Sequence, residues 1–246
     1  MTPGKIQRRS GVALWRQIAD RMRQLVSAGA FGETGKLPPE LLLAEQFGVN
    51  RHTVRSAIAL LVQEGVLRSE QGRGTFVQAR PRLSYPIGMR TRFSDGLAGQ
   101  TQERIGVLIS SQREPAGTAV AQALGIPEGA PLIRLETRAE ADGRPLMRST
   151  SWFDAIRFAG IDDSYAATGS ITAALKELGI EDYTRQSTTV TAQLADIGDL
   201  DILRLSPGAV VLVAEAVDAD MAGWPIQFLR TRFSADRIEL RIGQGA

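Results

Sequence analysis

The sequence predicts an α+β protein built from two units. One is a small helical head that ends in a β-hairpin. The other is a larger antiparallel sheet with helices packed against it. Three observations carry this reading. Residues 50–77 run as a helix, a short strand, a Gly-rich tip and a second strand. Residues 123–153 and 202–233 echo one another: each has a helix end, a Pro then Gly-Ala, a strand, a turn with Gly-x-Pro, and a second strand closing on Phe. Between head and body, residues 79–86 hold Pro81 and Pro86 and show no periodicity, which argues for an extended connector without an element of its own. The boundaries expected are 1–78 for the head, 79–90 for the linker and 91–246 for the body.

In the head, Leu14, Ile18, Met22, Leu25 and Val26 recur at helical spacing, so Leu14–Ser27 reads as an amphipathic helix that Gly29, Gly32 and Gly35 end. Leu37-Pro38-Pro39-Glu40 opens a second helix, because first-turn N–H groups lack intrahelical partners and Pro has none to lose. Leu42, Leu43, Ala44 and Phe47 are its expected buried side. Gly48 supplies the turn, Val49 plugs the angle between helices, and Asn50 caps a third helix. There Val54, Ala57, Ile58 and Leu61 form an apolar stripe, while Arg51, His52 and Arg55 fall on a different face near the helix start.

An apolar back with donors projecting outward suits a helix that enters the major groove of DNA. Arg can grip guanine O6 and N7 together, and Thr53 suits a phosphate or a thymine methyl. The strands Val66–Ser69 and Thr75–Val77 flank Glu70-Gln71-Gly72-Arg73-Gly74. Gly72 and Gly74 let the backbone approach a phosphate, and Arg73 sits at the tip, placed for a phosphate or minor-groove contact. The Gly-x-Gly pair lacks the Gly-Lys-Ser/Thr ending and following helix of a nucleotide loop.

Charge agrees with this division. Residues 1–80 hold 12 Lys/Arg and 6 Asp/Glu, whereas residues 81–246 hold 17 and 21. A basic head on an acidic body suits a polyanionic partner for the head alone. There is no Cys and a single His, which excludes disulfides and thiolate metal sites and leaves little for His-based catalysis; an intracellular, cytoplasmic setting fits. No apolar run approaches the ~20 residues that span a bilayer, and the basic N-terminus has no apolar stretch of a secretory signal behind it. No cofactor or metal is implied.

The body's echo places Pro145 and Pro225, and Phe153 and Phe233, each 80 residues apart. Two similar hairpins in one sheet are expected, with helices Thr118–Leu124, Ser170–Leu178 and Asp196–Leu203 packed on it. Strand alternation turns Ile133, Leu135, Thr137 and Ala139 inward, and Arg134, Glu136, Arg138 and Glu140 outward. Met147, Ser149, Ser151 and Phe153 share a face, as do Gln227, Leu229, Thr231 and Phe233 by the echo. Small hydroxyls among apolar residues fit a ligand cleft, or equally hydrogen bonds between strands.

The order LPPE, LAEQFGVNRHTVRSAI, EGVLRSEQGRGTFV over residues 12–78 resembles the winged helix-turn-helix head of the GntR regulators. The resemblance implies that Arg51, Arg55, Thr53 and Gly72 contact operator DNA. The family often has Ser or Ala where Pro39 stands and a DNA-contacting Arg where Leu41 stands, so that contact is missing here. The string Val49-Asn50-Arg51-His52-Thr53, followed by Val54-Arg55, is especially similar to regulators of phosphonate use. Residues 88–242 resemble the UTRA effector-binding domain of the HutC branch, whose fold is similar to that of chorismate lyase. By that resemblance the segment Met89–Ser94 opens a helix whose N-terminus holds an anion, with Thr91, Arg92 and Ser94 as binding residues. Free N–H groups and the helix dipole favour an anion there. Ser170 matches a serine near the ligand and otherwise serves as an N-cap. Some sugar-phosphate-sensing relatives carry arginines where Thr137 and Ala139 stand.

The expected function is a ligand-responsive transcription factor. It would bind palindromic double-stranded operator DNA as a homodimer and repress a phosphonate-uptake or utilisation operon. Alternatives are another small anionic effector, such as a sugar phosphate or urocanate, or a chorismate-lyase-like enzyme. The last finds no nucleophile–base pair, no His dyad and no metal spacing to support it.

Overall fold

The computed structural model describes residues 13–27, 29–32, 34–78, 82–90, 96–205 and 207–242. Two compact units divide the chain, with the boundary between Pro81 and Arg82.

The first unit holds α1 (Leu14–Ser27), α2 (Glu40–Phe47) and α3 (Arg51–Gln63), followed by the antiparallel pair β1 (Leu67–Glu70) and β2 (Gly74–Val77). Ile18, Met22 and Leu25 of α1 pack on Leu43 and Phe47 of α2 and on Val54, Ala57, Ile58 and Leu61 of α3. Full burial of each large apolar side chain is worth about 1.5–3 kcal/mol. Asn50 caps α3 by accepting a hydrogen bond from the His52 amide at 2.6 Å, and Gly48 makes the preceding turn in the left-handed region. Arg23 links Asp20 (2.8 Å) and Glu64 (2.6 Å), tying α1 to the end of α3.

Two details depart from the sequence reading. Leu42 is 48% exposed rather than buried, because Leu43, Ala44 and Phe47 already fill the narrow arc that a two-turn helix turns inward. The segment after Gly35 meets the hairpin at a single antiparallel bridge, Lys36 opposite Phe76. Leu37 donates its N–H to the Thr75 carbonyl (2.8 Å), and Val77 donates to that of Gly35 (2.7 Å).

The second unit begins with β3 (Leu83–Ile87), where an elementless connector was expected. It pairs in parallel with the last strand, β10 (Ile238–Ile242). Pro86 is tolerated because a strand in a two-stranded sheet leaves one side unpaired. The side chain of Gln100 also clasps Ser84, accepting from its N–H (2.7 Å) and donating to its carbonyl (2.8 Å).

Next come β4 (Arg104–Pro115), α4 (Thr118–Leu124), β5 (Pro131–Ala141), β6 (Arg144–Asp154), α5 (Ile161–Thr168), α6 (Ile171–Glu177), β7 (Tyr183–Leu194), α7 (Ile197–Ile202), β8 (Val210–Asp220) and β9 (Pro225–Ser234). Six strands form one antiparallel sheet in the order β4-β5-β6-β9-β8-β7. The echo is now a local two-fold symmetry. Strand–helix–hairpin β4-α4-β5-β6 is repeated by β7-α7-β8-β9. The two halves meet where β6 pairs with β9, and Thr150 faces Arg230, its own counterpart 80 residues later. The edge strands β4 and β7 and the helix α5 had no clear sequence signal. The three helices that were expected are present as α4, α6 and α7.

Both faces of the sheet are covered. On one, Ile133, Leu135 and Phe153 pack under Phe158, Ile161, Tyr165 and Leu175. On the other, Leu132 and Trp152 meet Ala121 and Leu124 of α4, while Val211 and Val213 meet Leu203 beyond α7. The second covering corrects the outward assignment of Glu136, which is only 4% exposed. There α7 brings Asp196 and Asp199 against the sheet. Arg148 bonds to Glu136 and reaches Asp196 and Asp199 at 3.3 Å, and Arg232 holds Asp199 at 2.8 Å. A carboxylate as buried as Asp199 (0% exposed) persists only with such partners.

Candidate functional site

In the first unit, α3 presents Arg51, His52 and Arg55 outward, with Thr53 half-buried between them. Arg51 and Arg55 lie one helical turn apart and both turn toward Glu40, the first residue of α2. Nε of Arg51 donates to Glu40 Oε2 at 2.8 Å. Arg55 donates to the same oxygen from Nη2 at 3.0 Å, and its Nε lies 3.3 Å from both carboxylate oxygens. Hydrogen bonds from Arg55 and Arg51 hold the Glu40 carboxyl below its ordinary value, against a smaller opposing push from burial. Glu40 was not singled out in the sequence, since only the fold brings the start of α2 against the start of α3.

The wing places Gly72 and Gly74 at φ 75° and 116°, a region that costs other residues strain. Arg73 stands between them, 77% exposed, with an ion pair to Glu70 at 2.9 Å. At the wing's base, Arg68 and Lys36 lie over the Phe76 ring, at 5.2 and 5.8 Å from its centroid. The head thus presents its cations on a helix start and a hairpin tip, around an apolar interior.

The second unit holds a half-open cavity of about 590 Å³. Thr137, Ser149, Ser151 and Ser170 all line it, as do Gln227, Leu229 and Thr231 of the second hairpin. The hydroxyls also bond to one another across strands: Ser149 Oγ lies 3.0 Å from Thr231 Oγ1, and Gln227 Nε2 donates to Ser151 Oγ at 2.7 Å. These residues thus line the cavity and bond across strands at the same time. Ser170 caps α6 by accepting from the Ala173 N–H at 3.3 Å. Arg138 points away from the cavity and pairs with Glu140 at 2.6 Å. Thr91, Arg92 and Ser94 lie outside the described residues.

Several lining residues were missed in the sequence. Tyr85 comes from β3 and Arg104 from β4, where it donates to the Leu97 carbonyl at 3.3 Å. Arg185 of β7 and Asp218 of β8 form a buried pair at 2.9 Å. The echo carried a signal for Asp218: alternation along Leu212, Ala214, Ala216 and Asp218 gives it the face of Thr137 and Ala139 in the first copy. Tyr165, from α5, lies over the cavity. Burial pushes its phenol above the ordinary value, partly offset by a hydrogen bond with Thr137. A close approach of two glycines closes this side. A methyl on Gly106 would overlap the Gly169 carbonyl oxygen and come 2.7 Å from Tyr165 Oη.

A model of bacterial regulatory proteins of the gntR family matches residues 14–77, and a model of the UTRA domain matches residues 104–239. The chain is a GntR-family transcriptional regulator with a UTRA domain. It is 50% identical over 237 residues to the HTH-type transcriptional regulator RB1450 of Rhizobium meliloti (strain 1021), covering 96% of this chain and 97% of that one. It is 36% identical to the probable transcriptional regulator PhnF of Escherichia coli (strain K12), over 56% of this chain and 54% of the relative. Its fold resembles the crystal structure of PhnF from Mycobacterium smegmatis, with a TM-score of 0.63 and 27% identity over 94% of this chain and 99% of that one. Both matched domains place the regulator among transcription factors rather than enzymes, which sets aside the lyase reading. GntR-family regulators bind operator DNA. No described helix of this one is long and apolar enough to cross a membrane.

Proposed function

We propose that this GntR-family regulator is a cytoplasmic, ligand-responsive repressor whose head reads an operator and whose cavity receives a small anion. Arg51, His52, Thr53 and Arg55 face the major groove, and Gly72, Arg73 and Gly74 meet phosphate or the adjacent minor groove. A homodimer sets two such heads on a palindrome, roughly 34–36 Å apart. The observation that carries the reading is the cavity itself, a half-open cleft lined with hydroxyls and provided with Arg104, and with Arg185 paired to Asp218, in the domain that follows the DNA-binding head. Thr91, Arg92 and Ser94 add anion-binding groups, and occupancy favours one head arrangement over another by its differential affinity.

The effector class we favour is a phosphonate, with a phosphonate-use operon as target. The similarity of Val49–Arg55 to regulators of phosphonate use supports it, as does the likeness to relatives named PhnF. The second reading is a sugar phosphate or other hydroxylated anion. It is favoured by the number of hydroxyls on the lining, where Thr137, Ser149, Ser151, Ser170 and Thr231 are joined by Tyr85, Tyr165 and Tyr183.

Thermal unfolding of the full chain with phosphonates, inorganic phosphate, sugar phosphates and urocanate separates these. Stabilisation by phosphonates is expected, and stabilisation by a sugar phosphate or urocanate alone overturns the phosphonate assignment. DNA binding is checked by gel shift over a salt series. Affinity indifferent to both salt and sequence rejects the operator-binding reading.

A further inference from the structure

We propose that Glu40 is a positioning residue for DNA sequence recognition, buttressing Arg51 and Arg55 so that each presents its outer guanidinium edge to the groove. This rests on the reading of the α3 face as the DNA-binding face.

Glu40 is an oddity of charge on this face. A carboxylate on a surface that meets phosphates repels them, so its presence there needs an offsetting role. Glu40 is 28% exposed at the side chain, between Arg51 at 58% and Arg55 at 53%. It spends its oxygens on the inner edges of both arginines: the Nε of Arg51, and the Nε and Nη2 of Arg55. A guanidinium has a second edge, the outward N–H groups of Nη1 and Nη2, which matches guanine O6 and N7. Among the described residues, no hydrogen bond takes up that outer edge on either arginine.

The tether therefore leaves the base-reading forks free while fixing their planes. It also joins two like charges, four residues apart on one helix, through a common oxygen at 2.8 and 3.0 Å. An untethered arginine has long, rotatable χ angles and finds phosphates as readily as bases. A tethered pair loses less freedom on reading a base and is held away from the backbone. Glu40 thus lowers affinity for DNA in general and raises discrimination between sequences.

The test uses the full chain, a duplex selected by the parent protein from a randomised library, and a scrambled duplex of the same length, with binding read by fluorescence anisotropy. Glu40→Gln is expected to bind the scrambled duplex several-fold more tightly and the selected duplex more weakly, so that their ratio falls at least tenfold. Its melting temperature should match the parent's. Glu40→Asp keeps the charge but shortens the reach, and is expected to lose discrimination without the gain on scrambled DNA. Arg51→Lys keeps the positive charge without a fork and tests the same geometry from the partner's side, with discrimination falling as in Glu40→Gln. An unchanged ratio in Glu40→Gln, or a parallel change in both affinities, overturns the buttress. If the double variant Arg51→Ala, Arg55→Ala stays folded and binds both duplexes like the parent, the DNA-face reading itself falls.

Discussion

In the head, the groups proposed to meet DNA stand outside a small apolar core and come from neighbouring stretches of chain, residues 51–55 and 72–74. In the body, the groups around the cavity come from residues as far apart as Tyr85 and Thr231 and face inward, several of them bonded to one another. Chemistry on an exposed surface can change without disturbing the fold that carries it. Chemistry inside a sheet's covered face is part of the packing, so function and stability are coupled there.

This contrast can be broken at several points. The largest effect is expected at Asp199, buried between Arg148 and Arg232. Asp199→Ala leaves two arginines short of a buried partner and should cost about 3–5 kcal/mol in denaturant unfolding of the body. Leu61→Ala removes a fully buried side chain of the head and should cost about 2–5 kcal/mol, measured the same way. A loss under 1 kcal/mol at either site would show that the surroundings collapse around the change.

Gly106→Val tests the cavity wall. It should push α5 and the Gly169 turn off β4 and abolish ligand-induced thermal stabilisation, while leaving salt-dependent DNA binding in place. Arg51→Ala sharpens the comparison from the other side. It should cost about 1–3 kcal/mol of affinity for a selected duplex, with stability changed by no more than about 0.5 kcal/mol. A matching loss of stability would mean that the head is as coupled as the body. The smallest effect is expected at Ser149→Ala, which deletes the 3.0 Å bond to Thr231 and should cost about 0.5–1.5 kcal/mol of stability together with a shift in ligand affinity.

Much of the fold was legible because it is written locally. The stripe Val54, Ala57, Ile58, Leu61 sets one side of α3, and Asn50 sets its start. The 80-residue echo set the two central hairpins. Alternation then placed Ser149, Ser151, Gln227 and Thr231 on one face. The readings that failed had non-local causes. Leu42 is exposed because of how its short helix docks. Glu136 is buried because α7 crosses the sheet's second face. Leu83–Ile87 is a strand because β10, about 150 residues later, pairs with it. The edge strands β4 and β7, half-exposed and mixed in polarity, carry weak alternation and were not seen.

The amino-acid order by itself determined a basic winged head, a doubled hairpin body and the polar residues on the body's inner face, since caps, turns and periodicity act over a few residues. Tertiary structure alone decided that Glu40 meets Arg51 and Arg55, that Arg185 and Asp218 pair beside the cavity, and that Gly106 lies against Gly169. Each of those depends on where separate elements come to rest, and that is set by the packing of whole cores rather than by any short run of residues.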